Sequence, residues 1–493
     1  MICLCLTGDT LESWSAELER NRARIALVEL RVDLLRPAER SVEAIAAWWS
    51  STGSGISCIL TVRRQRDGGR WEGDDGQRLF LLARLAEALK PAYLDVELDR
   101  QSHADWSQLV RRQEDRGGQV IRSYHGPNPG REELSQLVAR LAAGMHEIPK
   151  LAIDPRGLGD VVAVVEAARA FRRYHGSRRG IWLAMGELGL PTRVLPAHLG
   201  SAWTYASDPP PDAVRAAPGQ LDIPRLLEQY RASESRPDWR VFAVVGSPIA
   251  HSASPAYHNR RLAELGLPGV YVPVRADDFG VFMDLAELLD IRGVSVTVPH
   301  KETALAAGDA SPRARAVGAA NTLIRGADGW RSDNTDVDGF MGPLQQLAGD
   351  GAGRRAAVIG AGGAARAVVV GLRDAGWQVE VYNRSPERAT ALMASIGMDT
   401  ERAHPMSALR ECSPGSFDLL VQTTPLGMLH GEQADPAAGY DFEGSELVYD
   451  IIYTPPETPL LARARAAGCR TLNGEGMFAA QAAAQFEQFR ALL

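Results

Sequence analysis

Up to about residue 230, short runs of apolar and β-branched residues alternate with amphipathic stretches. The stretch DGQRLFLLARLAEAL at 75–89 is typical of the latter, because its apolar residues recur near the 3.6-residue period of a helix. The runs that indicate strands number eight and cover residues 2–7, 26–35, 56–63, 92–98, 119–125, 148–153, 180–185 and 201–206. Eight strands alternating with helices over this length predict an α/β fold that begins with a (β/α)8 TIM barrel, with an open doubly wound sheet as the alternative.

A different pattern begins after residue 230. The segment RASESRPDWR at 231–240 is polar, contains proline and has no period, so it is the predicted linker between two halves. Three strands that run into a loop or a helix follow it, in VFAVVGSPIAHSASP, GVSVTVPHKE and AAVIGAGGAARAVVVGL. The second half is therefore also predicted to be α/β, and a chain of 493 residues is expected to contain several domains.

The third of these strands carries a nucleotide-binding motif. Gly360, Gly362 and Ala365 fit G-x-G-x-x-G/A, directly after AAVI and at the start of an apolar helix. Further along, where an NAD site usually has Asp or Glu, the chain has Asn383 and Arg384. A carboxylate there repels a 2′-phosphate, whereas a guanidinium binds it, so the motif predicts NADP rather than NAD.

Composition narrows the classes of protein. The chain is 45% hydrophobic and 23% charged, as in ordinary soluble globular proteins, and its net charge of -7 gives no reason to expect nucleic acid as a partner. The five cysteines form no CxxC pair and no zinc-type cluster, which predicts a reducing compartment and no metal. No run approaches the roughly 18 apolar residues of a membrane span, and MICLCLTGD is unlike a signal peptide. We therefore expect a cytoplasmic location and no membrane partner.

Lysine is rare in this chain. Of the 54 basic residues, 51 are arginine, and only Lys90, Lys150 and Lys301 are lysine. Guanidinium stays protonated, whereas an amine in an apolar setting can lose its proton and act as a nucleophile or a base. Lys150 lies inside the apolar run of MHEIPKLAID, and Lys301 follows GVSVTVPH. Either can also be a structural residue whose stem packs while its ammonium reaches solvent, so the neighbouring residues must decide.

Polar residues fall at the C-terminal ends of the predicted barrel strands, where the chemistry of this fold takes place. We expect one cavity to gather Glu29, Arg31, Arg63, His125 and Lys150. An uncharged amine beside an imidazole suits covalent catalysis on a ketone, because the imine acidifies the neighbouring C–H bond and the imidazole removes the proton. The arginines suit a substrate that carries a carboxylate.

The second half offers a different pair. Lys301 and Asp336, which lies in RSDNTDVDGF, supply a proton donor and its orienting carboxylate for reduction of a carbonyl by NADPH. Residues 240–493 closely resemble shikimate dehydrogenase, in the motifs GSPIAHSASPAYHN, GVSVTVPHKE, AVGAANTL, NTDVDGF, GAGGAARA, NRSPERA, TTPLGM and GEGMFAAQAA. The resemblance implies that 3-dehydroshikimate is reduced to shikimate by NADPH, with Lys301 and Asp336 as the catalytic pair.

The same resemblance assigns binding residues by motif. The implied substrate contacts are Ser252, Ser254, Thr297, Asn321, Tyr453 and Gln481. The implied cofactor contacts are Gly360, Ala361, Gly362, Gly363, Ala364, Asn383, Arg384, Ser385, Arg388, Thr423, Ile451 and Gly474. The chain departs from the family after Tyr453, where Thr454 and Pro455 stand in place of the commoner Asn-Pro.

The first half, residues 1 to about 232, resembles the type I 3-dehydroquinate dehydratases, a family of Schiff-base barrels. The motifs are VELRVDLL, LTVRRQRDGGRWEGD, VIRSYH, EIPKLAI, LPTRVL and AAPGQ. The resemblance implies that Lys150 forms an imine with the C3 ketone and that His125 moves protons as water is eliminated. It assigns the substrate carboxylate and hydroxyls to Glu29, Arg31, Arg63, Arg193 and Gln220.

Two residues depart from the dehydratase pattern. The carboxylate that accompanies the histidine is commonly Glu, and the aligned residue is Asp67. A serine often precedes PGQ, and here Ala216 or Ala217 replaces it.

The two resemblances support each other, because the dehydratase makes the substrate of the dehydrogenase, and the whole chain is similar to bifunctional dehydratase/dehydrogenases. The implied domains are a barrel at 1–232, a substrate-binding domain at 240–340, a Rossmann NADP-binding domain at 341–470 and a helix at 471–493 that returns to the substrate domain. The expected partners are 3-dehydroquinate, 3-dehydroshikimate and shikimate, and monomer and homodimer both stay open. The alternatives are a degenerate barrel that serves as a scaffold and a dehydrogenase that prefers quinate.

Overall fold

A computed structural model describes residues 1–100, 104–208, 217–250, 252–349, 351–429 and 431–493, so the substitution considered at Ala216 lies outside the described residues. The chain divides into two compact units, Met1–Ala243 with Pro248–Ile291 and Val244–Ser247 with Arg292–Leu493. None of the helices in the described ranges is long and apolar enough to cross a membrane.

The first part of the chain alternates strands and helices. Its strands are β1 Ile2–Leu6, β2 Leu27–Arg31, β3 Ser57–Thr61, β4 Tyr93–Glu97, β5 Gln119–Pro127, β6 Glu147–Asp154, β7 Ile181–Ala184 and β8 Thr204–Ser207. Its helices are α1 Leu11–Asn21, α2 Val42–Thr52, α3 Asp75–Leu89, α4 Ala104–Asp115, α5 Arg131–Leu141, α6 Leu158–His175 and α7 Leu190–Val194.

The eight strands form one parallel sheet in the order β7-β6-β5-β4-β3-β2-β1-β8. A parallel bridge joins Gly180 to Ser201, which lie just before β7 and β8, and so closes the sheet. The predicted (β/α)8 barrel is therefore confirmed. Each predicted run overlaps a strand, although several strands are shorter than their runs, because the residues at the run ends, apolar ones included, lie in turns and loops.

Burial explains the apolar runs. Helices cover the outside of a barrel and side chains fill its interior, so a barrel strand is apolar on both faces. Strands β1 and β2 are buried at every position. Helix α3 begins after Asp74, whose side chain accepts a hydrogen bond from the Gln77 N–H at 2.8 Å. The helix then buries Leu82, Leu85 and Leu89 against the barrel.

A second, mixed sheet follows the predicted linker, which contains neither helix nor strand between Tyr230 and Arg240. Its strands are β9 Arg240–Gly246, β10 Gly269–Arg275, β11 Ile291–Val296, β12 Asp309–Ala310, β13 Thr322–Gly326 and β14 Gly329–Asp333, in the order β10-β9-β11-β13-β14-β12. The helices of this region are α8 Ser254–Glu264, α9 Phe279–Leu288, α10 Lys301–Leu305 and α11 Pro312–Val317.

The third sheet contains the nucleotide motif. Its strands are β15 Arg355–Ile359, β16 Gln378–Asn383, β17 Ala403–Pro405, β18 Leu419–Gln422, β19 Leu447–Asp450 and β20 Arg470–Leu472. The helices are α12 Asp336–Ala348, α13 Gly363–Asp374, α14 Pro386–Ser395, α15 Met406–Leu409, α16 Pro459–Ala466 and α17 Glu475–Arg490. All pairings are parallel, and the order β17-β16-β15-β18-β19-β20 is that of a Rossmann fold, as predicted.

The division of the folded chain differs from the domain boundaries inferred from the sequence. Residues 248–291 belong to the same unit as the barrel. Among the contacts that join them, the Arg169 guanidinium donates to the Leu288 carbonyl at 2.8 Å, and Arg275 lies 3.1 Å from Glu187. The sequence boundaries therefore stay a proposal about functional domains, and they differ from the compact units.

Candidate active sites

Four buried side chains form one layer inside the barrel. They come from the four even-numbered strands and are Glu29, Asp95, Lys150 and Tyr205. Alternate strands of a TIM barrel contribute to the same layer, so their side chains meet at its centre. Lys150 Nζ lies 3.0 Å from Asp95 Oδ2, 3.9 Å from Glu29 Oε1 and 4.5 Å from the centre of the Tyr205 ring.

The setting of Lys150 differs from the one predicted. The sequence predicted an apolar run with Glu29 and the arginines nearby, whereas Asp95, which was not predicted, lies 3.0 Å from the amine. Asp95 also accepts hydrogen bonds from Arg63 at 2.7 Å and from the Ser123 hydroxyl at 2.6 Å. Burial raises the pKa of Asp95, but the charges of Arg63 and Lys150 outweigh it and hold that pKa below its ordinary value. Asp95 is therefore an anion that lies beside the Lys150 amine.

His125 lies on the same strand as Ser123, two residues further on, so both side chains point to one face of the sheet. Burial lowers the pKa of His125 well below its usual range, and the positive charges of Arg63 and Lys150 lower it further. Its Nε2 atom is buried and has no hydrogen-bond partner among the described residues. The imidazole is therefore neutral near pH 7 and has a ring nitrogen available to a ligand.

Asp67, the residue predicted to accompany His125, forms its hydrogen bond with an arginine of its own loop. It ends a 3-10 turn, Gln65–Asp67, in the loop between β3 and α3. Its Oδ2 atom accepts a hydrogen bond from Arg64 Nε at 2.6 Å. Nothing in the sequence indicates this partner, because the sequence does not show which arginine of the loop folds back onto the carboxylate. The part of Asp67 in catalysis stays a prediction.

The three arginines expected to bind a substrate carboxylate differ in the groups that they already contact. Arg31 forms two hydrogen bonds to Asp33, at 3.0 and 2.8 Å, and Arg63 binds Asp95. Arg193, on α7, is buried and donates to the Pro218 carbonyl at 2.9 Å, while its Nε atom is buried with no partner in the described ranges. A buried guanidinium nitrogen without an acceptor is costly, so Arg193 is the best placed of the three to bind an anionic ligand.

Glu29 and Gln220 are linked through a cysteine. The Cys5 thiol lies 3.1 Å from a Glu29 oxygen, and the Gln220 amide lies 3.1 Å from the same sulfur. Thr61 donates to the other oxygen of Glu29 at 2.9 Å. The predicted substrate contacts Glu29 and Gln220 therefore lie together, and both are buried.

Asp95, Ser123, Tyr205 and Cys5 were not predicted as part of this site. A signal for Asp95 was present in AYLDVEL, because two carboxylates two residues apart on a strand share one face and are unusual in a buried run. Ser123 likewise precedes His125 by two residues. Nothing comparable in the sequence indicates Tyr205 or Cys5, which look like ordinary core residues.

The second candidate site is built around Asn321. Lys301, at the start of α10, lies 2.5 Å from the Asp336 carboxylate at the start of α12. The Asn321 amide donates to the other Asp336 oxygen at 2.8 Å and lies 3.5 Å from Gln481 Oε1. The structure thus brings together the predicted catalytic pair and two of the predicted substrate contacts. Asn321, which is buried, also fixes Thr335 by accepting from its backbone N–H at 2.9 Å.

The other predicted substrate contacts are more dispersed. Thr297 directly follows β11, and its N–H donates to the Val245 carbonyl at 2.9 Å. Tyr453 follows β19, and its ring lies 5.1 Å from that of Phe478. Ser252 and Ser254 stand at the start of α8, in the first unit, and the Ser254 N–H donates to the Ser252 hydroxyl at 3.3 Å. The peptide bond between Thr454 and Pro455, where the chain departs from its family, is cis.

The predicted cofactor residues meet at one edge of the third sheet. Gly360, Asn383, Thr423 and Ile451 stand at the C-terminal ends of β15, β16, β18 and β19, the edge at which ligands bind in such folds. Backbone hydrogen bonds connect adjacent strands here, from Gly360 to Tyr382 at 2.8 Å, from Thr423 to Ile359 at 2.9 Å and from Ile451 to Gln422 at 3.1 Å. Gly474 lies beside Ile451, whose carbonyl oxygen would be 1.9 Å from any added Cβ.

The turn at the start of α13 fits a phosphate. Gly360 has a φ of +111°, and an added Cβ would lie 2.4 Å from the Thr423 hydroxyl. Gly362 directly precedes the helix and, as a glycine, has no side chain to cap it. The space beside its Cα is open. The N–H groups of the first turn are thus available to an anion. An added Cβ at Gly363 would be 3.1 Å from Lys301 Cβ, so the turn lies beside the candidate catalytic lysine.

The two candidate phosphate-binding arginines are accessible. Arg384 and Arg388 are exposed and form no ion pair with any described residue. Asn383 orients the chain between them by donating from its side chain to the Ser385 carbonyl at 2.8 Å. No cluster of His, Cys, Asp and Glu that could hold a metal ion occurs within the described ranges.

The fold and the two sites together define an α/β protein that joins a barrel with a buried lysine–histidine centre to a Rossmann-type oxidoreductase. Family models agree with this class. Residues 2–237 match type I 3-dehydroquinase, 244–323 match the shikimate dehydrogenase substrate binding domain, and 344–425 match shikimate / quinate 5-dehydrogenase.

Similar proteins extend the comparison to the full chain. The chloroplastic bifunctional 3-dehydroquinate dehydratase/shikimate dehydrogenase of Arabidopsis thaliana is 32% identical over 100% of this chain and 82% of the relative. The NADP(+) shikimate dehydrogenase of Oleidesulfovibrio alaskensis is 40% identical over 55% of this chain and 92% of its own length. A crystal structure of shikimate 5-dehydrogenase from Thermus thermophilus with NADP(H) and shikimate is 37% identical, covers 52% of this chain and 94% of that chain, and has a TM-score of 0.45.

The chain belongs to the family of bifunctional 3-dehydroquinate dehydratase/shikimate dehydrogenases. Both resemblances inferred from the sequence are thereby confirmed.

Proposed function

We propose that the barrel dehydrates 3-dehydroquinate to 3-dehydroshikimate and that the second half reduces 3-dehydroshikimate to shikimate with NADPH. One observation carries the first activity: a buried lysine lies 3.0 Å from an anionic carboxylate inside the barrel, in a cluster with a neutral histidine. The second activity is supported by the contact of Lys301 with Asp336 beside a glycine-rich turn. We also propose a reducing, cytoplasmic location, on the basis of the scattered cysteines in the sequence.

Dehydration begins at Lys150. Once its ammonium has given up a proton, the amine attacks the C3 ketone, and loss of water from that adduct forms the imine. The neutral His125 then removes a proton from the carbon next to the imine, which the imine has acidified. The same imidazole returns that proton to the departing hydroxyl, so water leaves, and hydrolysis of the imine releases product and Lys150. Asp95 and Glu29 stabilise the cationic states that Lys150 passes through.

Reduction uses a different proton donor. NADPH would supply the hydride. The residues proposed to hold it are the turn Gly360–Ala364, Asn383, Arg384, Ser385, Arg388, Thr423, Ile451 and Gly474. Lys301 donates a proton to the carbonyl oxygen of the substrate. Asp336 orients the ammonium, and Asn321 orients Asp336. Ser252 and Ser254 stay the proposed contacts of the substrate carboxylate, with Thr297, Tyr453 and Gln481 for the ring hydroxyls.

Arg384→Ala is expected to weaken NADPH binding and leave NADH binding unchanged. The variant removes a charge-assisted contact with the 2′-phosphate, a loss on the order of 1.5 to 3 kcal/mol, and NADH has no such phosphate. The measurement is the KM of each nucleotide with saturating 3-dehydroshikimate. An unchanged ratio of the two values would show that another residue binds the phosphate.

Asp67→Asn is expected to slow dehydration but to leave imine formation intact. The carboxylate is proposed to orient His125, so its loss should cost less than the roughly 10²- to 10⁴-fold that a proton-transfer group itself contributes. Turnover of 3-dehydroquinate and borohydride labelling of Lys150 are measured on the same sample. Loss of labelling in this variant would contradict the separation of the two roles.

The alternative preference for quinate is tested by comparing substrates. The family model for residues 344–425 covers both shikimate and quinate dehydrogenases, so the model itself does not choose. We expect NADP+-dependent oxidation of shikimate with a much higher kcat/KM than that of quinate. The opposite order would assign the second half to quinate.

A further inference from the structure

One buried arginine fastens the loop that carries Asp67. Arg64 is 8% exposed, and three of its nitrogen atoms bind carboxylates. Nε donates to Asp67 Oδ2 at 2.6 Å, while Nη1 and Nη2 donate to the two oxygens of Asp99 at 3.0 and 2.9 Å. Asp99 belongs to the 3-10 turn that directly follows β4. Arg64 therefore bridges the loop after β3 to the loop after β4 with the fork geometry that only arginine provides.

The 3-10 turn that ends at Asp67 packs against β5, the strand that carries His125. Tyr124 directly precedes that histidine on β5. Burial raises the pKa of Tyr124, and the negative charge of Asp67 raises it further. The residue at this position is commonly glutamate in similar dehydratases, and aspartate is one methylene shorter. The shorter side chain reaches the imidazole only if the loop that carries it lies closer, so the position of the loop sets the separation between carboxylate and imidazole.

We propose that Arg64 is a positioning residue of the dehydratase, which holds the Asp67 carboxylate at the separation from His125 that proton transfer requires. This inference rests on the proposed function, because it assumes that Asp67 orients His125. Arg64 forms no hydrogen bond to His125 or Lys150 among the described residues, so it acts through Asp67.

The same turn supplies a matched control. Arg66 also pairs with Asp99, but its side chain is 61% exposed and forms no hydrogen bond or ion pair with the Asp67 carboxylate in the described part of the chain. Both arginines therefore contribute charge to Asp99, and only Arg64 reaches the carboxylate proposed to act in catalysis.

Arg64→Ala is expected to lower kcat for dehydration about 10- to 100-fold, the effect of a displaced catalytic group, with KM and borohydride labelling of Lys150 retained. Arg66→Ala should stay within about twofold of the unsubstituted chain. In an Asp67→Asn background, Arg64→Ala should add less than about twofold, because the group through which it acts is already gone. Borohydride labelling of Lys150 in the same samples reports whether the barrel is folded.

Three results would overturn the inference: a full additional loss in the Asp67→Asn background, an equal loss in Arg66→Ala, or a change confined to KM. If Arg64→Ala unfolds the barrel, Arg64→Lys is measured in its place. Lysine keeps the positive charge but cannot bridge two carboxylates. An unchanged kcat in Arg64→Lys would also overturn the inference. An unsubstituted chain that neither dehydrates nor labels Lys150 would instead refute the proposed function itself.

Discussion

Borohydride added together with 3-dehydroquinate is expected to leave a reduced ligand adduct on Lys150 and to abolish dehydration. Reduction converts the imine to a stable secondary amine, so the nucleophile cannot be regenerated. The chain is well suited to this experiment because it contains only three lysines, Lys90, Lys150 and Lys301, to which an adduct could be assigned. Peptide mapping by mass spectrometry identifies the modified residue.

Lys150→Arg is expected to have no measurable dehydratase activity although it keeps the positive charge beside Asp95 and Glu29. Guanidinium stays protonated and supplies no free amine, so imine formation is lost and not merely slowed. Lys90→Arg is the matched control, since Lys90 ends α3 at an exposed position away from the barrel cluster. Turnover in Lys150→Arg would contradict imine catalysis by Lys150. Absence of an adduct on Lys150 while 3-dehydroquinate binds would favour the scaffold alternative for the barrel.

Lys301→Ala is expected to lower kcat for reduction by roughly 10²- to 10⁴-fold, with a much smaller rise in KM. The ammonium donates its proton in the transition state, whereas it contributes little to holding the ground-state substrate. Its 2.5 Å contact with Asp336 shows the carboxylate that orients it. Steady-state kinetics with 3-dehydroshikimate and NADPH measure both parameters.

Dehydration by Lys301→Ala supplies the control, because the barrel has its own lysine and should continue unchanged. A Lys301→Ala chain that stops dehydrating would contradict two independent sites. A rise in KM with unchanged kcat would instead assign Lys301 to substrate binding.

Periodicity predicted the architecture well. Eight apolar runs gave eight barrel strands, and the glycine motif after AAVI gave the parallel sheet with the order of a Rossmann fold. Both predictions depend on short-range features of the chain, namely alternation of elements and the turn chemistry between a strand and a helix. The structure also brings Lys150 near Glu29 and Lys301 near Asp336, as expected from residues at strand ends.

The charges around Lys150 were harder to predict. The amine lies between Asp95 and Glu29, and this arrangement follows from which strands share a layer of the barrel. Once a barrel is assumed, the position of each strand in the order predicts which side chains share a layer, because side chains from alternate strands meet at the centre. The partner of Asp67 is different: a loop arginine can fold in many directions, and only the tertiary contact with Asp99 explains why Arg64 turns inward.

The central claim is that one chain carries out two consecutive reactions, and the most direct test is oxidation of NADPH started with 3-dehydroquinate and no other enzyme. We predict oxidation by the intact chain, none by Lys150→Arg with 3-dehydroquinate, and restored oxidation by Lys150→Arg when 3-dehydroshikimate is supplied. Oxidation that starts only with 3-dehydroshikimate in the intact chain would show that the barrel does not dehydrate and would contradict the account.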